Sequence, residues 1–284
     1  MASFIKEIFS LTVPEYIPVG IFNLMAGLAF SAHKIPLSLS FGLAIICTIF
    51  VIAGYNSYNA IFDLEMDKIN KPNRPLPMNT LTIRDAYYAS LFFFAIALVA
   101  AYFISSIFLI ITAISIIFAV LYSFPGIHLK KVVVLGTVIP TLLYSVLFPL
   151  LGWAIENTNP VPIFFIIYIS LFGIATAAIK DFEDIEGDGR EGAHTPVIKL
   201  GYSKTLYLVS CLFFASAILL ISLAFSHLIP YKYAWVALLT IPALINVHSL
   251  YKNKNAKYAG KAFILSLIIM MLVDLTVVIL SLTF

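Results

Sequence analysis

The sequence predicts an all-α membrane protein, a polytopic bundle of about nine transmembrane helices around a central cavity. Three observations predict it. Hydrophobic residues make up 62% of the 284 and charged residues 11%, against roughly half and one quarter in soluble domains. Nine predominantly apolar runs come close to the about 20 residues that a spanning helix needs. Lys and Arg, finally, gather in alternate connections between those runs, as they do when one side of a bilayer faces the cytoplasm. The whole of 1–284 reads as a single membrane-embedded domain, with no room for a soluble one.

Residues 1–12 open the chain without the basic cluster and small-residue cleavage pattern of a secretory signal. Phe4, Ile5, Ile8, Phe9 and Leu11 fall at helical spacing beside Lys6, Glu7 and Ser10, the pattern of a short interfacial helix. Spans follow over Val13 to Ala32, Pro36 to Tyr58, Ile83 to Ile104, Ile107 to Phe124, Val132 to Ala154, Val161 to Ile179, Thr205 to Ser226, Tyr231 to Leu250 and Gly260 to Phe284. Between the second and third, Pro72, Pro75 and Pro77 forbid a regular helix, and Thr82 with Asp85 forms a capping box for the third. Cys47 and Cys211 lie inside apolar runs at no metal-binding spacing, so buried packing is expected of both.

With the N-terminus inside, the inner connections hold Lys6; Lys68, Lys71, Arg74 and Arg84; Lys130 and Lys131; Lys180, Arg190, Lys199 and Lys204; and Lys252, Lys254, Lys257 and Lys261. That is fifteen of the 17 basic residues, leaving Lys34 and Lys232 outside. The expected location is therefore the cell membrane, with the N-terminus and the charged loops cytoplasmic and the C-terminus outside. A formal charge of +3 is too small to suggest nucleic acid, and no feature points to a protein partner.

Two charged stretches carry the chemistry. Asn59, Asp63 and Asp67 recur every four residues where the second span ends, so a continuing helix puts them on one face. Asp184 and Asp188 repeat that spacing after the sixth span, beside Lys180 and Asp181, and both pairs are offset by the same 121 residues (184 less 63, 188 less 67). Four spans separate the stretches, which returns the second to the side of the first, and the equal offset hints at a parallel internal duplication. Solvated loop charges need not repeat in this way. Asp and Asn offer oxygen ligands, which favour magnesium over zinc or copper. Two clusters of three such groups suit two magnesium ions, and two magnesium ions suit a diphosphate.

At these residues the chain resembles the UbiA-type intramembrane prenyltransferases. Asn59, Asp63 and Asp67 match the family's NxxxDxxxD motif, Asp181, Asp184 and Asp188 its DxxDxxxD-like second motif, and nine spans its layout. The resemblance implies transfer of a prenyl group from an allylic diphosphate to a lipid-soluble acceptor within the membrane lipids. It implies that Asp63, Asp67, Asp184 and Asp188 hold Mg2+, with Asn59 and Asp181 as further ligands or their partners, and that Arg74, Lys130 and Lys180 contact diphosphate. Asp63 and Asp184 would be catalytic through that metal, and Asp181, at the end of the sixth helix, would be the base for an acceptor hydroxyl. Tyr55, Tyr58, Tyr122 and Tyr144 would wall a water-free cavity that stabilises an allylic cation. The surroundings of both motifs look most like the archaeal ether-lipid branch, which joins a geranylgeranyl group to geranylgeranylglyceryl phosphate; the alternative is an aromatic quinone or tetrapyrrole precursor.

An ion-coupled transporter would concentrate ionisable groups near mid-membrane, where this sequence offers only Asp274, expected to be structural and hydrogen-bonded or protonated. A phosphotransferase acting on nucleotide-activated lipids would show a DGxxAR-type pattern, which Asp188-Gly189-Arg190-Glu191-Gly192-Ala193 does not reproduce. Asn246 and His248 are expected to make polar contacts between helices, and His194 to meet a phosphate or solvent.

Overall fold

Helices this apolar can satisfy their backbone groups only within themselves, since hydrocarbon offers no hydrogen bonds. The computed structural model describes residues 2–124, 135–157, 159–190, 192 and 194–283, with residues 2 and 3 as backbone alone. Among these there is no strand, and nine helical segments are long and apolar enough to cross a membrane.

A short helix, α1 (Ala2–Leu11), precedes them. The first span joins a 3-10 turn to α2 (Ile17–Ala32), and the second is α3 (Leu39–Phe62), which turns a corner at Asp63 into the short α4 (Leu64–Asn70). The third and fourth are α5 (Ile83–Tyr102) and α6 (Ser106–Ser123). The fifth divides into α7 (Leu135–Thr141), a π-helical stretch (Leu142–Leu147) and α8 (Phe148–Ala154). The sixth, α9 (Ile163–Lys180), leads to the short α10 (Ile185–Arg190) and α11 (Pro196–Leu200). The seventh is α12 (Tyr202–Phe225), the eighth runs from a 3-10 segment into α13 (Thr240–Lys252), and the ninth is α14 (Ala256–Leu282). All nine expected spans are present, with ends displaced by a few residues.

Side chains close the exposed helix starts. Ser38, Ser105 and Asn255 accept from the backbone N–H groups of Phe41, Phe108 and Tyr258 at 3.2, 3.1 and 2.8 Å. Thr82 and Asp85 form the expected capping box. The broken fifth span has a cause in its prolines: Pro140 has no N–H for the Gly136 carbonyl, nor Pro149 for that of Ser145, and the winding between them loosens. The Tyr122 hydroxyl donates to the freed Gly136 carbonyl at 3.2 Å.

The packing order occurs twice. α5 lies on α3 as α12 lies on α9, while α2 meets α8 and α4 meets α10 across the centre. These partners stand in the order that the 121-residue offset requires. Lys34 pairs with Glu156 at 3.1 Å and the Ser31 hydroxyl donates to the Pro160 carbonyl at 3.1 Å, so the loops after α2 and α8 share one end. α4 and α10 share the other. There α1 tucks Ile8 and Leu11 against Ala60, Leu76, Leu81 and Ala86 and leaves Phe4, Ile5 and Phe9 exposed, the apolar edge that an interfacial helix needs.

Some expectations about single residues change. Cys47 is buried, with Sγ 3.5 Å from the Thr112 hydroxyl, but Cys211 is exposed on the outer face of α12; an apolar span must show one side to lipid, and composition does not say which. Asn246 donates to the Ala262 carbonyl and the Ser266 hydroxyl at 2.7 and 2.9 Å, bridging α13 and α14 as expected. His248, two residues on, is turned outward and exposed. Asp274 is fully buried in α14, and neither carboxyl oxygen has a hydrogen-bond partner, so the hydrogen-bonded alternative is not met.

Two glycines bring the backbones of α2 and α8 close together. A Cβ at Gly152 would stand 2.0 Å from the Leu24 carbonyl oxygen, and one at Gly27 2.3 Å from that of Pro149. Small residues let membrane helices meet in this way. Gly152→Ala pushes a methyl against main chain that cannot swing aside, and should destabilise by about 1–3 kcal/mol. Thermal unfolding in detergent is expected to show a lower midpoint for Gly152→Ala, whereas Gly42→Ala, where a Cβ meets nothing within 4 Å, should unfold at the parent's midpoint or above it.

Candidate active site

Both acidic stretches are corners where a spanning helix ends and a short one begins. Asp63 leaves helical geometry (φ −94°, ψ 0°) between α3 and α4, yet the ladder of hydrogen bonds continues across it. The Asp63 N–H bonds the Asn59 carbonyl at 3.0 Å, and the Asp67 N–H the Asp63 carbonyl at 2.7 Å. After α9 the same device returns, with the Asp188 N–H on the Asp184 carbonyl at 3.0 Å. The four-residue spacing thus keeps its shared face, although no straight helix runs through either stretch.

The two corners face one cavity of about 1300 Å³, counted with its open mouth. Asn59, Asp63, Asp67, Asp181, Asp184 and Asp188 all line it, as do Arg74, Lys180 and Tyr122. Lys130, also expected here, lies outside the described residues. Tyr55 and Tyr144 also line the wall, but Tyr58 does not; its ring packs on Phe62, 5.0 Å between centroids.

Cations and an amide pair with these acids. Arg74 donates to Asp67 at 2.8 Å. Asp184 receives two ammonium groups, Lys71 at 2.7 and 2.9 Å and Lys180 at 3.0 Å. Asn59 donates to Asp63 at 2.6 Å and accepts from the Ser123 hydroxyl at 2.8 Å. Among the described residues, accordingly, no three acidic, histidine or cysteine side chains converge as a ready-made metal cage. The donor set itself fits a hard cation, being all oxygen, and one carboxylate oxygen, Asp181 Oδ2, is buried on the cavity wall without a partner.

Burial resists ionisation of Asp184, but Lys180 and Lys71 outweigh it and hold the carboxyl well below the usual carboxylate range. Asp181 goes the other way. Burial, opposed by Lys180 and reinforced by Asp188 and Asp184, pushes its carboxyl up to about 8. Neighbouring carboxylates driven apart in this way are the arrangement from which acid–base chemistry near neutral pH is built.

Three residues make the join itself, and of these the sequence had marked only Lys71, as one of the inner basic residues. Asn70 accepts from the Gly187 N–H at 2.9 Å and donates to the Asp184 carbonyl at 3.1 Å, clasping α4 to α10. A Cβ at Gly187 would lie 2.5 Å from the Asn70 amide nitrogen and would displace the side chain that makes the clasp. Lys71 adds the charged half of the clasp. For Asn70 and Gly187 the sequence signal was their place just past the first motif and inside the second.

The family description "UbiA prenyltransferase family" matches residues 21–272. The chain is 32% identical over 224 residues to the digeranylgeranylglyceryl phosphate synthase of Methanococcus maripaludis (strain C7), covering 75% of this chain and 76% of that protein. A solved structure concerned with a digeranylgeranylglyceryl phosphate synthase in membranes superposes over the full length of both chains, with a TM-score of 0.72 and 28% identity. A UbiA homolog from Archaeoglobus fulgidus, bound to GPP and Mg2+, shares the fold with a TM-score of 0.80 at 17% identity, covering 98% of this chain and 100% of that one. The chain is a multi-pass membrane enzyme that transfers prenyl groups, and it belongs to the UbiA prenyltransferase family.

Proposed function

We propose that this single-domain enzyme transfers a geranylgeranyl group from geranylgeranyl diphosphate to the hydroxyl of geranylgeranylglyceryl phosphate, forming the second ether bond of an archaeal membrane lipid. The observation that carries this reading is the division of one cavity: acids and cations at its mouth, apolar and aromatic walls behind. Phe263, Leu267 and Met270 line the deeper part, suited to prenyl chains. Arg74, Lys71 and Lys180 at the mouth suit two phosphorylated heads, the diphosphate and the acceptor's own phosphate. The names of the similar synthases support the same acceptor.

Asp63, Asp67, Asp184 and Asp188, with Asn59 and Asp181, are the residues that would hold Mg2+. Bound there, the metal supplies charge neutralisation for the departing diphosphate. Arg74 and Lys180 would donate to its oxygens where negative charge develops, and Lys130 is assigned the same role from sequence. The allylic carbon–oxygen bond breaks with its electrons leaving on diphosphate, and the acceptor oxygen forms the new bond to carbon. Asp181, in its ionised form, would take the hydroxyl proton. Tyr55 and Tyr122, with ring centroids 5.9 Å apart, exclude water and offer π faces to the electron-poor carbon.

Asp63→Asn and Asp184→Asn should each remove most turnover, and chelator should do the same; full activity in either variant or in chelator would defeat this site. The raised Asp181 carboxyl adds a proton to the metal reading. Below about 8 it is mainly protonated, so a cation bound there must expel the proton, and magnesium affinity should climb with pH toward that value. Calorimetry at pH 7 in buffers of different ionisation enthalpy is expected to detect proton release on magnesium binding, and none in Asp181→Asn.

The orientation rests on the distribution of basic residues: α4 and α10 on the cytoplasmic side, the loops after α2 and α8 outside. In a background with Cys47 and Cys211 replaced by Ser, a cysteine at Lys257 should react with an impermeant reagent only from the cytoplasmic side, and one at Asn159 only from the other. Labelling from the same side would overturn the arrangement.

For the acceptor, geranylgeranylglyceryl phosphate and 4-hydroxybenzoate are offered separately with geranylgeranyl diphosphate. Ether product from the lipid is expected, and product from the benzoate alone would replace the acceptor while leaving prenyl transfer intact.

A further inference from the structure

Behind the charged mouth the cavity wall carries hydroxyl groups that the site described above leaves unused. Tyr144 Oη, Ser145 Oγ and Thr176 Oγ1 are buried, and none has a hydrogen-bond partner; all three residues line the cavity. Ser145 is completely buried and Thr176 is 2% exposed. Native proteins seldom leave such groups unpaired, because a lost bond to water goes uncompensated.

Their placement follows from local structure. Tyr144 and Ser145 belong to the π-helical stretch between Pro140 and Pro149, and π segments often mark functional sites. Gly173 of α9 clears the space in front of them: a Cβ there would stand 2.4 Å from Ser145 Oγ. Thr176 shares that face of α9 and lies one turn deeper than Lys180.

The chemistry of the group narrows its ligand. A hydroxyl offers one donor and two lone pairs without charge. The described cations on the cavity wall, Lys71, Arg74 and Lys180, all stand at the mouth. A phosphate or carboxylate drawn down to the hydroxyls would be buried without a counter-charge, and a hydrocarbon chain would give them nothing to bond. An uncharged ether or alcohol oxygen fits. The prenyl donor has none beyond its diphosphate, whereas a glycerol ether phosphate carries its phosphate and its uncharged oxygens a few bonds apart.

We infer that Tyr144, Ser145 and Thr176 form a subsite for the uncharged glycerol oxygens of the acceptor, binding the ether oxygen already present while the phosphate stays at the cations. The subsite rests on the lipid-acceptor reading. It makes these hydroxyls determinants of acceptor selectivity, with no part in binding the donor.

The test uses the full-length purified enzyme and Ser145→Ala, Thr176→Val and Tyr144→Phe, which remove a hydroxyl and keep the shape, with Thr176→Ser as the conservative partner. Each deletion should raise the KM for geranylgeranylglyceryl phosphate about fivefold, the worth of one net hydrogen bond, and leave the KM for geranylgeranyl diphosphate unchanged. Thr176→Ser should restore the parental value. Deleting an unpaired hydroxyl should leave the thermal midpoint of the ligand-free protein level or higher, whereas a structural role would lower it. An acceptor with methylene in place of the ether oxygen should lose about the same factor against the parent, and the loss should shrink in the deletions whose hydroxyl donates to that oxygen, at most two of the three because it has two lone pairs. Unchanged acceptor KM in all three deletions, equal rises for both substrates, or a lowered midpoint in each would overturn the subsite and spare the lipid-acceptor reading. Absence of parental product with the lipid acceptor would overturn both.

Discussion

One carboxylate shared by two ammonium groups holds the working end of this enzyme together. Asp184 belongs to the second acidic corner, Lys180 to the end of α9, and Lys71 to the segment after α4, so the trio ties the two halves of the chain at one point. Asp184 is 5% exposed, and a charge so buried is tolerable only while paired. Taking away a lysine would leave part of that charge uncompensated, and taking away Asp184 would set two cations against each other. The uncharged bonds of Asn70 to Asp184 and Gly187 fix the same join without depending on ionisation.

The bilayer sets the other terms. Every backbone group within it needs a partner in the protein, so the irregular fifth span survives where its freed carbonyl meets Tyr122 and its loosened turn faces the cavity. That irregularity also gives the cavity its second character. A regular apolar wall would hold prenyl chains alone; the π-helical stretch adds neutral hydroxyls one layer behind the charged mouth. Charge at the entrance, neutral oxygen chemistry beneath it and hydrocarbon beyond follow the order of groups along the phosphorylated glycerol ether proposed as acceptor.

Repetition links sequence to architecture. The equal offset of the two Asp pairs is the visible trace of a packing order that occurs twice, α3 with α5 and α9 with α12. The short helices after α3 and α9 therefore meet near the centre as related elements. Two separated acidic motifs become one site because four crossings return the chain to the same end.

Nine spans, their order and the side on which the basic residues gather were legible in the sequence, because hydrophobic length and charge placement are properties of local stretches read against a bilayer. The two acidic motifs were legible for a similar reason: a four-residue period keeps its face through one corner as through a helix. Tertiary structure decided what depends on neighbours remote in the chain. It turned Cys211 outward, since an apolar segment gives little sign of which flank meets lipid, and it packed Tyr58 into the core against Phe62 rather than on the cavity wall. It gave Asn70, Lys71 and Gly187 their work across more than a hundred residues, and it set Asp184 between lysines while leaving Asp181 buried beside other acids. Two carboxylates three residues apart have the same covalent chemistry, and only the packed surroundings, through burial and charge, move one below and the other above the usual carboxylate range.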